Sequence, residues 1–183
     1  MFNVPSARIR VPKTAGGDIV RRSLIDTVLN NPKKLAYIHA GAGFGKTTLL
    51  AQIANSAPNA VWLSLDGEDD ILTFANSLSE AIKQTFPGFD FSPSEYLPFS
   101  GKDNFISILA VALICAIETI PADFVLVLDD VHAIEEAEVT KFITYLFRFP
   151  PKNARICLGS RVAPWNDLMP LRIRGEITEL TQK

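Results

Sequence analysis

Cysteine is nearly missing from this chain: its 183 residues include two, Cys115 and Cys157. Neither has the spacing of a metal site or a redox pair. That excludes a disulfide framework and a cysteine zinc centre, and it fits a reducing compartment. An excess of one charge is missing as well. Lys and Arg number 18 against 20 Asp and Glu, for a net charge of −2. The basic residues are scattered, so no nucleic-acid-binding face is marked. Long greasy runs are missing too. The longest, over residues 105–117, is broken only by Ser107 and falls short of the roughly 20 residues that a membrane span needs. Met1-Phe2-Asn3-Val4-Pro5 has no apolar core of a signal peptide. Repeats and low-complexity tracts are absent. These absences lead to the expectation of a cytoplasmic protein that contacts neither membrane nor nucleic acid.

What is present is a composition 48% apolar and 21% charged, that of an ordinary globular domain. A chain of this length forms one domain and buries about 70% of its unfolded surface. Apolar spacing predicts helices over 19–29 (with Asp18 as N-cap), 47–55, 71–82, 103–119 and 139–146. It predicts strands over 34–39, 61–65, 124–128, 154–158 and 176–180. Ser92-Pro93-Ser94-Glu95 has the pattern of a capping box, so a single helical turn is expected there. The greasy helix over 103–119 is apolar nearly all round. The aromatic-rich stretch 86–99 is expected to fold back over its Val111 or Ile114. Strands alternating with helices predict an α/β fold, a three-layer sandwich with a mainly parallel central sheet. Ligands then bind at the carboxyl edge of the strands.

Two motifs carry chemistry to that edge. Strand 34–39 enters Ala40-Gly41-Ala42-Gly43-Phe44-Gly45-Lys46-Thr47-Thr48, which opens the next helix. This is the strand, loop and helix order of a phosphate-binding loop, with Ala40 at a place where the pattern has Gly. Gly41, Gly43 and Gly45 let the main chain approach an anion closely. Backbone N–H groups and the helix N-terminus surround phosphates. Lys46 reaches the β- and γ-phosphates, and the Thr47 hydroxyl ligates Mg²⁺. The second motif is the apolar strand that ends in Asp129-Asp130. Asp129 suits Mg²⁺, and Asp130 is placed to orient or activate a water. Arg161, after the strand ending in Gly159-Ser160, either reaches a γ-phosphate or is a surface arginine. The acidic cluster Asp66 to Asp70 reads as helix-first-turn carboxylates ahead of a metal site. His39 and His132 read as local hydrogen-bonding groups.

With these residues in view, the chain resembles the P-loop NTPase domain of the STAND class. More narrowly, it resembles the N-terminal ATP-binding domain of large, MalT-like LuxR-type transcriptional regulators. The resemblance runs through Ile19-Val20-Arg21-Arg22, the loop from Ala40 to Gln52, Val61 to Asp66, Val127 to His132, Gly159-Ser160-Arg161 and the tail from Leu171 to Leu180. It departs at Gly41, where the family usually has Pro. It implies ATP and Mg²⁺ as ligands, adenine contacts from Ile19, Val20 and Arg21, slow hydrolysis at most, and a regulatory switch. The family also has a helical lid, a winged-helix domain, a sensor superhelix and a helix-turn-helix, none of which falls within residues 1–183. DNA contact then belongs to that further part, and ATP-dependent self-association to the longer parent. A P-loop phosphotransferase or stand-alone ATPase is the alternative. A GTPase ranks low, because the Asn-Lys-x-Asp guanine signature is missing.

Overall fold

The computed structural model describes residues 4–13 and 19–181. Among these residues five strands form one sheet: β1 (Leu35–His39), β2 (Ala60–Ser64), β3 (Phe124–Asp129), β4 (Ala154–Ser160) and β5 (Ile177–Thr181). Their spatial order is β2-β3-β4-β1-β5, and every pairing is parallel. β4 thus lies between the strand that feeds the glycine loop and the strand that ends in the two acids. Among the described residues six α-helices cover the sheet: α1 (Arg22–Leu29), α2 (Lys46–Ser56), α3 (Ile71–Thr85), α4 (Phe105–Glu118), α5 (Ala137–Arg148) and the short α6 (Met169–Ile173). The α/β three-layer sandwich expected from the sequence is the observed fold.

Strand side chains alternate between the two faces. Leu35, Tyr37, Leu63, Leu126, Leu128, Ile156 and Leu158 pack with α3, α4 and α5 in the larger core. Ala36, Ile38, Trp62, Val125, Val127 and Cys157 pack with α1 and α2 in the smaller one. β3 is buried along its whole length, which explains its unbroken apolar run. Phe74 of α3 and Phe142 of α5 meet edge to face at 5.4 Å between centroids. Both are fully buried, each side chain contributing about 1.5–3 kcal/mol. The Asp70 carboxylate caps α3 by accepting from the Thr73 N–H at 2.7 Å.

Several local expectations are corrected. α1 starts at Arg22, so Ile19, Val20 and Arg21 precede the helix; the expected cap, Asp18, lies outside the described residues. The capping box does not form. The Ser92 hydroxyl pairs with that of Ser94 at 2.9 Å, and a two-turn 3₁₀ helix runs over Pro93–Phe99. Pro93 stands at the first position of that helix, where no N–H donor is needed. The segment does fold back against α3 and α4. Phe89, Phe91 and Ile114 are buried in one core, whereas Val111 stays 49% exposed. Residues 166–173, read from the sequence as no element, form a 3₁₀ turn and α6.

The amino-terminal stretch ties the sheet's carboxyl edge together. The Arg8 carbonyl accepts from the Ser64 N–H at 2.8 Å. The Arg8 guanidinium donates to the Ser64 carbonyl and forms an ion pair with the buried Asp69. Asp69 is therefore not simply a first-turn carboxylate, as the sequence suggested; it neutralises a cation brought from residue 8. Next along the chain, Ile9 packs on the larger core and Val11 on the smaller.

Candidate functional site

The site is built at the carboxyl ends of β1, β3 and β4. The main chain turns from β1 into α2 through Gly43 (φ 81°) and Gly45 (φ 71°). These left-handed angles favour glycine. They fall at two of the three loop glycines; Gly41 is not in that region. No side chain caps α2, so the orphan N–H groups of its first turn face the loop. Lys46, at the helix start, is 8% exposed. Its Nζ stands 3.5 Å from Asp130 Oδ1.

The two sequence motifs meet directly. Thr47 Oγ1 donates to Asp129 Oδ2 at 2.7 Å. The Asp130 N–H donates to Asp129 Oδ1 at 2.8 Å. Asp129 is 1% exposed, and that burial pushes its carboxyl pKa up; the charge of Asp130 adds to the rise, while the bonds from Thr47 and the Asp130 N–H, and the charge of Lys46, oppose it. Asp130 itself adopts the left-handed conformation, φ 57°, rare for a residue with a side chain and characteristic of functional sites. It carries a half-exposed carboxylate beside Lys46 and His132. Thr48 is half-buried on the next position of α2. Arg161 follows β4 at the same edge and is exposed. Its charge, with that of Lys46, helps hold the His132 pKa below the ordinary value, although burial is the main cause.

The opposite flank of the loop is held by Arg21. Its guanidinium donates to the Phe44 carbonyl at 3.1 Å and to that of Gly45 at 3.5 Å. A cavity of about 310 Å³ opens here, lined by Arg21, Leu24, Ile38, Phe44, Leu49 and Leu180 among others. Ile19 and Val20 are not in its wall; they are 84% and 59% exposed. Phe44 is exposed as well.

Two residues matter here that the sequence did not single out. Gln52, buried on α2, accepts from the Arg21 N–H at 3.1 Å and donates to the Ile19 carbonyl at 3.1 Å. It pins the segment before α1 onto α2. Gly159 lies on β4 beneath Asp129. A β-carbon there would overlap both Asp129 Oδ1 and Leu50 Cδ1, so the buried carboxylate occupies space that only glycine leaves. The Gly-Ser-Arg strand end hinted at a special position; nothing in the sequence pointed to Gln52. In the wall of the cavity, His39 stands 2.9 Å from Glu179, which Arg172 also holds. This confirms His39 as a local hydrogen-bonding group. No helix among the described residues is long and apolar enough to cross a membrane.

Comparison with known proteins adds relatives. No protein-family model matches the chain. The structure of C. elegans PCH-2 superposes with a TM-score of 0.43 at 16% identity, covering 85% of this chain and 37% of that one. The HTH-type transcriptional regulator MalT of Vibrio campbellii is 30% identical over 183 residues, 97% of this chain and 20% of its own length. MalT of Vibrio parahaemolyticus is 28% identical over 97% of this chain. MalT of Yersinia pestis is 33% identical over 80% of this chain and 16% of its own length. The chain spans between about a sixth and a fifth of the length of these curated relatives. Its loop, acids and parallel sheet are those of a P-loop domain, and in sequence it is similar to one segment of the MalT regulators.

Proposed function

We propose that this domain binds ATP with Mg²⁺ and acts as the regulatory switch of a longer, MalT-like LuxR-type regulator of the STAND class, hydrolysing ATP slowly at most. The observation that carries this reading is the Thr47–Asp129 hydrogen bond at 2.7 Å. It joins the helix start after the glycine loop to the acid at the end of β3, the two oxygen donors that a hard cation needs. The donor set fits Mg²⁺: a buried carboxylate whose pKa is raised by desolvation is a carboxylate short of positive charge.

The residues then divide the work. The N–H groups around Gly41, Gly43, Phe44 and Gly45 receive phosphate oxygens, with the α2 dipole behind them. Lys46 places a buried cation on the phosphates. Thr47 and Asp129 hold Mg²⁺, and Thr48 extends the phosphate contact. Bound Mg²⁺ supplies charge neutralisation at the phosphates. Asp130 orients the attacking water, and Arg161 senses the γ-phosphate. The cavity beside Arg21, Leu24, Phe44 and Leu180 takes the base, and Arg21 is the residue of the Ile19-Val20-Arg21 segment that lines it. The similarity to transcriptional regulators supports a cytoplasmic setting. DNA contact and ATP-dependent self-association belong to the longer parent. Residues 1–183 form the single ATP-binding unit.

The decisive test is calorimetric titration of wild type and Lys46→Ala with ATP and Mg²⁺. Wild type binds, and a folded Lys46→Ala protein shows no detectable binding. Unchanged affinity in the mutant refutes the site.

A further inference from the structure

The turn after β3 holds a group to which the reading above gives no task. His132 lies in the 3₁₀ turn Val131–Ala133, its side chain 17% exposed. Its Nδ1 is buried and, among the described residues, has no hydrogen-bond partner. An orphaned buried ring nitrogen is uncommon in a native fold and asks for an explanation. The polar atom facing it is Asp130 Oδ1, at 3.7 Å. That exceeds the ordinary hydrogen-bond range, up to about 3.2 Å, by a fraction of an ångström. The same oxygen stands 3.5 Å from Lys46 Nζ. One carboxylate oxygen thus lies between two donors and fully engages neither.

Three features make this arrangement a two-position device. The αL backbone of Asp130 and its N–H bond to Asp129 fix where its side chain starts, so the freedom left is rotation of the carboxylate. Burial lowers the His132 pKa against the pull of Asp130; the ring is neutral and has one N–H to place on Nδ1 or Nε2. Lys46 is a single cation, and a triphosphate outcompetes one carboxylate for it. When Lys46 turns away, Asp130 loses its cation, and the vacant donor facing it is His132.

We propose that His132 is the positioning residue for Asp130: with Lys46 committed to a bound triphosphate, the Asp130 carboxylate closes onto the Nδ1–H of His132, which fixes its direction. The inference rests on reading the site as an ATP site. It adds that the water-orienting acid is released by Lys46 and recaptured by His132, so nucleotide binding itself organises the acid.

The chain has only two histidines, so long-range ¹H–¹⁵N spectra of the imidazoles contain two signal sets, with His39 as internal reference. Two samples are compared with the nucleotide-free wild type: Lys46→Met without nucleotide, and wild type with a non-hydrolysable ATP analogue and Mg²⁺. In both, His132 is expected as the Nδ1–H tautomer with a downfield, slowly exchanging Nδ1 proton. Its absence from both overturns the inference. Its appearance in Lys46→Met, while calorimetry finds no nucleotide bound to wild type, upholds the Asp130–His132 pair and refutes the ATP reading instead. Single-turnover hydrolysis separates positioning from packing. His132→Asn keeps an N–H donor at the place of Nδ1, and His132→Gln moves it to the place of Nε2. Gln is expected to slow turnover about ten- to a hundredfold, the range that a hydrogen bond to a charged group is worth. Asn stays close to wild type, and both keep the wild-type ATP affinity. Equal losses in the two variants overturn the inference.

Discussion

Replacing Gly159 by Ala tests whether the space under Asp129 was made by that glycine. The added methyl group has two neighbours that cannot retreat cheaply. Leu50 is fully buried, and Asp129 is held by Thr47 and the Asp130 N–H at 2.7 and 2.8 Å. The Asp129 Cγ lies 3.4 Å from the added carbon, and its Oδ1 lies closer than real β-carbons approach. Overpacking of this kind costs about 1–3 kcal/mol. Replacing Gly by Ala also reduces the freedom of the unfolded chain, which offsets about 0.4–1 kcal/mol. The clash wins, by about 1–2 kcal/mol. For a domain of this size each kcal/mol lowers Tm by about 2–4 °C, so the expected fall is several degrees. The site suffers more than the fold, because the easiest escape turns the Asp129 carboxylate away from Thr47. Thermal unfolding by circular dichroism reads the first effect. Calorimetry with ATP, with and without Mg²⁺, reads the second: the Mg²⁺-dependent part of the affinity is lost. Gly88→Ala is the control, since nothing lies within 4 Å of its added carbon. A Gly159→Ala protein as stable as that control, with Mg²⁺-dependent binding intact, refutes the reasoning.

Gln52→Ala releases the segment before α1. Amide exchange at residues 19–21 is expected to accelerate and ATP affinity to fall, while affinity for inorganic triphosphate holds; protected amides in the mutant contradict the clamp. Burial raises the Asp129 pKa above 3.8, so the folded state binds that proton more tightly than the unfolded chain does. The stabilisation is full below 3.8 and is lost as pH rises through the raised value. Metal-free Asp129→Asn is therefore more stable than wild type at neutral pH, and the gap closes in acid; a pH series of unfolding midpoints with chelator decides it. Arg161→Ala is expected to reduce the preference for ATP over ADP, read as the ratio of two Kd values; an unmoved ratio returns Arg161 to a surface residue.

Local order was legible where one force dominated. The run Phe124 to Leu128 announced a strand buried on both faces, and the glycine loop announced its own turn because Gly43 and Gly45 need left-handed angles. Pairing was less legible. Arg8 and Asp69 meet across 61 positions, and no local pattern links them. Gln52 looks like a solvent residue in a helix until the segment from Ile19 to Arg21 is laid against it. Apolar spacing misled at Ile19 and Val20, which extend the helical pattern of α1 in sequence yet lie in exposed chain before the helix. The Ser92 capping signal failed because the Glu95 N–H is taken by the Ser92 carbonyl at 3.1 Å, which leaves the hydroxyl to Ser94.

The strand order has a consequence for how the chain acquires its site. β1 is the first strand made, yet both of its neighbours, β4 and β5, come from residues 154–181. During synthesis from the amino terminus, β1 waits without a partner while β2 and β3 pair with each other. Contacts so distant in sequence form slowly, because loop closure precedes any reward. The glycine loop hangs from the end of β1, so it acquires its shape only when β4 arrives. β4 also brings Gly159 and Arg161 to the same edge. Nascent chains released before residue 154 are therefore expected to have an apolar β1 with exposed edges, which makes them clients for chaperones. Competence for ligand then appears in one step at the end of folding, which makes it a report on completion of the sheet.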